Sequence, residues 1–180
     1  LDLIPDDITP SFEFPKGTVI GGDPRGFVAA LAGNDALAKI RCGGVTPELF
    51  PSCEDIARFL LACHRADVAF KATAGLHHPV RAEQNLTYED KPPRGVMHGF
   101  FNVFLAAALV RVADIDEVTA VRVLGETDPK AFVLTDTDAG WRDITINLLE
   151  LSRVRESFAT GYGSCSFDEP VDDTKALGLL

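Results

Sequence analysis

The 180-residue chain carries 17 Lys and Arg against 27 Asp and Glu, for a formal charge of −10, and 46% of it is apolar. That length and composition suit one ordinary domain with a packed core and argue against disorder over most of the chain. The acidic balance excludes a nucleic-acid surface or an anionic-membrane surface, since both demand a basic patch, and the longest apolar run, Val103 to Val110, is too short to span a bilayer.

Residues 1–10 read as an irregular, acidic lead-in, after which Ser11-Phe12-Glu13-Phe14 alternates as a short strand and is stopped by Pro15 and Gly17. Gly21-Gly22-Asp23-Pro24 reads as a turn into a short helix ending near Ala32, with Asp23 as cap and Pro24 at the first helical position. Leu37 to Arg41 is the next strand. Ser52 and Asp55 form a capping-box pattern that opens a helix with Ile56, Phe59, Leu60 and Cys63 on one stripe and Arg58 and Arg65 off it. Val68 to Lys71 reads as a third strand. Strand, helix, strand, helix, strand is the signature of right-handed parallel crossovers, so the expected class is α/β with parallel βα units.

Beyond His77 the chain turns polar, proline-rich and charged as far as Arg94, which predicts a long functional loop. Met97 to Val112 is apolar on nearly every side and predicts a helix buried all round. Asp114 to about Leu124 predicts a further short helix and Trp141 to Phe158 another, with Ile144, Leu148, Leu151, Val154 and Phe158 on one face. Thr160 to Phe167 closes as a final strand. The four strands would make about half of an eight-stranded TIM-type barrel. A lone half barrel exposes apolar edges, which predicts either a second copy as homo-oligomer partner or further amino-terminal residues ahead of Leu1.

The chemistry concentrates where strands end. Lys39 and Lys71 each lie inside a strand-like run, and a lysine held in a low-dielectric space yields the neutral amine that attacks carbonyls, more so beside a second lysine. The competing reading is that each lysine marks the wet end of a strand or pairs with an acid such as Glu13. Gly43, Gly44, Thr73 and Gly75 follow those strands, where backbone amides suit a phosphate or carboxylate, although a tight strand-to-helix turn explains the glycines equally. Arg41 and Arg81 are candidates for an anion clamp. His77, His78 and His98 are candidates for acid–base work if the loop folds over the strand ends, and Ser164 for ligand contact. Asn102 within the apolar helix demands a partner, for which core backbone is the expected one.

Cys42, Cys53, Cys63 and Cys165 are scattered without a CxxC pair, and the HHP pattern lacks metal-ligand spacing, so neither a disulfide framework nor a metal or other cofactor is expected. Reduced thiols fit a cytoplasmic location, and the opening residues do not read as a secretory leader. Cys165, with no base nearby in sequence, is expected to be inert.

The phrases KIRCGG, FKATAGLHHPVR, HGFFNVFLAAAL and YGSCSFDEP with the terminal LGLL are similar to a conserved bacterial family of unassigned function. That resemblance runs from Phe12 to Leu180 and implies the carboxyl-terminal half of a (β/α)8 barrel. More distantly, FKATAG resembles the lysine strand of class I aldolases related to deoxyribose-phosphate aldolase, and AKIRCGG resembles the strand carrying their auxiliary lysine. The resemblance implies Lys71 as Schiff-base residue and Lys39 as helper, in a lyase acting on a small carbonyl or phosphorylated anion. Those aldolases carry the two strands in the opposite order and have no counterpart of the HHP loop. The alternative reading of the residues is a noncatalytic anion-binding or assembly domain.

Overall fold

The computed structural model describes residues 4, 5, 7–164 and 166–179. Its elements run β1 (Ser11–Glu13), α1 (Lys16–Val19), α2 (Arg25–Ala29), β2 (Leu37–Arg41), α3 (Cys53–Ala66), β3 (Phe70–Thr73), β4 (Ala82–Asn85), β5 (Arg94–Met97), α4 (Phe100–Val112), α5 (Glu117–Gly125), β6 (Phe132–Leu134), β7 (Asp138–Trp141), β8 (Ile144–Asn147), α6 (Leu148–Ser157), β9 (Ala159–Gly163) and α7 (Asp168–Ala176). Four strands form one sheet in the order β1-β2-β3-β9, and every pairing in it is parallel. The mixed α/β class is therefore present, with helices linking parallel strands. The sheet does not close on itself: among the described residues, β1 and β9 stand at open edges.

The register sorts the side chains into two faces. Phe12, Ala38, Phe70, Ile40, Ala72 and Tyr162 fall on one side as aligned partners, and Glu13, Lys39, Lys71, Arg41 and Thr73 on the other. Ala38, Ile40, Phe70 and Ala72 are fully buried, because the apolar stripe of α3, formed by Ile56, Phe59, Leu60 and Cys63, is equally buried within the same core. Among the described residues of these strands, none on the lysine side is buried. This one-sided coverage is unusual for parallel strands, which are ordinarily packed on both faces.

An aromatic series runs beneath the sheet from edge to edge. Phe27 meets Phe14 at 5.7 Å between centroids, Phe14 meets Phe59 at 5.9 Å, Phe59 meets Phe70 at 5.5 Å, Phe70 stacks on Phe104 at 6.5 Å, and Phe104 meets Tyr162 at 5.6 Å. Such pairs add modestly to their area burial. The series ends at both edges in exposed rings, Phe27 and Tyr162.

The capping box that opens α3 forms as the sequence predicts: Ser52 Oγ accepts from Asp55 N at 3.1 Å and Asp55 Oδ2 accepts from Ser52 N at 2.9 Å. Asp55 also accepts from Gly21 N at 3.0 Å, which fastens the segment before α2 onto the start of α3. Asn102 on α4 makes the core bonds expected of it. Its Nδ2 donates to Val123 O at 2.9 Å and Glu126 O at 2.8 Å, and its Oδ1 accepts from Arg81 N at 2.9 Å.

Several local expectations are corrected. Trp141 to Phe158 is not one helix: Asp138–Trp141 and Ile144–Asn147 pair as an antiparallel hairpin, turning at Arg142 with φ +54°, and α6 begins only after Asn147. The Ile-Thr-Ile alternation favours a strand, and Asn147 with Glu150 supplies the capping box that starts the helix one turn later. The loop from His77 to Arg94 contains β4, which pairs antiparallel with β5. Val68 to Lys71 shifts to Phe70–Thr73, because Asp67 ends α3 in the left-handed region at φ 51° and leaves Val68 and Ala69 as connection. The last strand stops at Gly163, and α7 follows it.

Candidate functional site

The carboxyl ends of β2, β3 and β9 converge on a cavity of about 480 Å³, a size ordinary for small-molecule sites. Its floor is backbone from Gly44, Ala74, Gly75 and Gly163, and its walls carry His77, His78, Ser164 and Glu169, with Asn85 from the end of β4 and Thr87 and Tyr88 from the segment after it. Open parallel sheets place ligands just beyond their strand ends. Gly75 of the floor and Gly43 beneath it are demanded by close packing. Gly75 sits at φ +70°, and a Cβ there would lie 2.9 Å from Gly43 Cα, while a Cβ on Gly43 would meet the Phe50 ring and, at 3.0 Å, Gly75 Cα. The two strand-end turns thus touch backbone to backbone, which favours the turn reading for Gly43 and Gly75.

His77 is the best-furnished group in the cavity. Its Nδ1 lies 3.2 Å from Ser164 Oγ and 3.4 Å from Glu169 Oε2, and its side chain is 15% exposed. Burial holds its pKa below the ordinary 6.5, against the opposing pull of the Glu169 carboxylate, and the neighbouring His78 lowers it further. A neutral imidazole at neutral pH can accept a proton. His78 Nδ1 pairs with Asp173, and Tyr88 OH donates to Glu169 at 3.1 Å. Glu169 and Asp173 stand one turn apart on α7, so α7 is seated on two consecutive histidines. Thr87 Oγ1 is buried in the cavity wall with no hydrogen-bond partner among the described residues.

The two lysines share a face and are register partners. Lys39 Nζ is paired with Glu13 Oε2 at 2.8 Å, as the competing reading anticipates, whereas Lys71 has no ion pair among the described residues. Neither lysine lines the strand-end cavity. Arg41 sits at the end of β2 with its Nε donating to Gly43 O at 3.1 Å and its Nη1 3.9 Å from Glu13. Thr73 Oγ1 reaches back to Ile40 O at 3.4 Å.

His98 and Arg81 lie elsewhere. His98 is 2% exposed, with its Nε2–H donating to Pro51 O at 2.7 Å, and it does not join His77 and His78 at the cavity. Arg81 is turned toward Cys53 beneath the loop and does not line the cavity either, so the two arginines form no clamp there. Burial pushes the Cys42 thiol up to about 12 and raises those of Cys53 and Cys63, which makes these three poor nucleophiles. Cys165 lies outside the described residues.

Sequence reading missed Glu169, Asp173, Asn85, Thr87 and Tyr88. The acidic pair at a spacing of four in DEPVDD was the available signal, since that spacing places both carboxylates on one helical face. Among the described residues, no group of three or more His, Cys, Asp or Glu is placed to hold a metal ion, and no helix is long and apolar enough to cross a membrane. No protein-family model, curated protein or solved structure matches the chain.

Proposed function

We propose that this chain carries the catalytic end of an aldolase-like lyase that acts on a small carbonyl compound or phosphorylated anion at the carboxyl ends of the parallel strands. The observation that supports it is His77, held between a hydroxyl and a carboxylate in a strand-end cavity, with burial keeping its ring neutral. In this reading the substrate extends from the cavity along β3 to Lys71, which does not itself line the cavity. Lys71 adds its amine nitrogen to the carbonyl carbon, the carbonyl oxygen leaves as water, and the resulting iminium draws electrons from the adjacent carbon. His77 takes the proton of the hydroxyl on the next carbon as the carbon–carbon bond breaks, which releases an aldehyde and leaves an enamine on Lys71. It returns that proton to the enamine carbon before water hydrolyses the iminium and frees the product. Lys71 is free of the ion pair that occupies Lys39, which fits the attacking role to Lys71 and the auxiliary one to Lys39.

The test has two readouts. Borohydride reduction in the presence of small aldehydes, 2-oxo acids and phosphorylated ketones should leave a mass adduct on Lys71 that Lys71→Met abolishes. Deuterium exchange at the carbon next to the carbonyl, followed by NMR, should be lost in His77→Gln. No adduct and no exchange across the panel overturns the proposal. Thermal stabilisation by phosphate that Arg41→Ala removes, with neither readout positive, would instead mark a noncatalytic anion-binding domain.

A further inference from the structure

The four-stranded sheet leaves three features uncovered. Among the described residues its lysine face has no buried residue, β1 and β9 have open edges, and the aromatic layer beneath it ends in exposed rings on both sides. The two edges also differ in a complementary way. Beside β9 lies an apolar groove of about 660 Å³, lined by Phe100, Phe104, Leu151 and Tyr162 on the helix-covered side of the sheet. On β1 the exposed Phe12, at 39%, projects to that same side, because it is the register partner of the buried Ala38, and the exposed Phe27 lies beside it across Phe14. One edge is a groove and the other presents aromatic knobs.

The charges on the bare face match as well. Glu13 lies on β1 at one edge, beside Lys39 at 2.8 Å and Arg41 at 3.9 Å and exposed toward the open side, and Lys71, lacking an ion pair among the described residues, is separated from the β9 edge only by its register partner Gly161. An acidic side chain from a strand added beside β9 would face Lys71 across a glycine.

We infer that a second copy of this chain docks against both edges at once, β1 of each copy adding in parallel beside β9 of the other, to close an eight-stranded barrel with twofold symmetry. A twofold axis along the strands keeps all eight parallel and makes the two seams identical, so the assembly closes instead of growing into a filament. Phe12 of each copy enters the groove of the other, and Glu13 comes opposite Lys71. Closure encloses the lysine face, which parallel strands require. The inference concerns the fold alone and holds whether or not the strand-end cavity is catalytic.

Analytical ultracentrifugation of the chain tests it. The expected particle is a dimer of twice the 19.4 kDa chain mass. Phe12→Glu, at an exposed edge position that leaves folding by circular dichroism intact, should raise the dimer dissociation constant by about 30-fold or more, the scale of an aromatic interface anchor. Val118→Glu, at an exposed apolar position on α5 outside the groove and both edges, should leave the mass unchanged. A monomer at every concentration, as when other polypeptide supplies the missing strands, overturns the inference. So does a higher oligomer, or a dimer that Phe12→Glu leaves intact.

Discussion

Replacing Asn102 by alanine isolates a single side chain that ties three segments together. Asn102 is fully buried on α4, its amide donates to the carbonyls of Val123, Leu124 and Glu126 at the end of α5 at 2.9, 3.3 and 2.8 Å, and its oxygen accepts from Arg81 N at 2.9 Å. Truncation leaves the Leu124 and Glu126 carbonyls and the Arg81 N–H without this partner, while Val123 O keeps its bond from Glu126 N. A backbone group stranded in this way costs about 1–3 kcal/mol. Three such groups, partly relieved by local relaxation, give an expected loss of about 3–5 kcal/mol, a large part of the stability of an ordinary domain. Urea unfolding followed through Trp141, 3% exposed and the sole tryptophan, reads the change directly. The thermal midpoint should fall by about 10 °C, since 1 kcal/mol shifts a chain of this size by roughly 2–4 °C. A loss under about 1 kcal/mol with an unchanged urea slope would show that these bonds are exchanged for water at no net cost, and would refute the reasoning.

Three further outcomes are expected. Ser52→Ala removes the α3 capping box and should lower unfolding free energy by about 1 kcal/mol, with Ser52→Asp close to neutral in the same urea assay. Gly75→Ala forces a Cβ into the left-handed region against Gly43 and should cost at least about 1–2 kcal/mol, along with any phosphate-induced thermal shift. His77 and His98 are both held below the ordinary 6.5 by burial, so below that pH the unfolded chain binds protons that the folded chain refuses. Stability should accordingly be flat above about pH 7 and fall as the pH is lowered through 6.5, and His98→Gln should flatten the decline measured by denaturant titration at a series of pH values. A decline of undiminished slope in that variant would count against the assignment to His98.

The part of the fold governed by local rules was readable in the chain. Ser52, Asp55 and the stripe from Ile56 to Cys63 specify α3 through capping and period, and Leu37–Arg41 emerges as a strand at both ends as predicted. Where period alone had to decide, the reading failed. Ile144 and Leu148 fit a helical spacing, but the pairing of β7 with β8 is a tertiary event that overrides it, and β4 with β5 is hidden in a stretch with no apolar alternation. The same limit governs the site. His77, His78 and Ser164 stand out as reactive side chains beside strand ends, whereas the carboxylates that face the histidines come from α7, over 90 residues later, and no local pattern announces that docking. His98 illustrates the reverse: a histidine just before the apolar helix α4 whose Nε2–H is taken up by a buried backbone carbonyl away from the cavity.

The seat of α7 gives the cavity an unusual wall. Its nine residues are too few to hold a helix in water unaided, yet two of them, spaced by one turn, meet adjacent rings of the HHP segment. The carboxylate at His77 therefore exists in position only while the tail is wound, and winding in turn depends on the grip of the imidazoles. Pocket polarity and tail conformation are thus a single cooperative event, so unravelling the tail strips the histidine of its acidic neighbour and opens the chamber in the same motion.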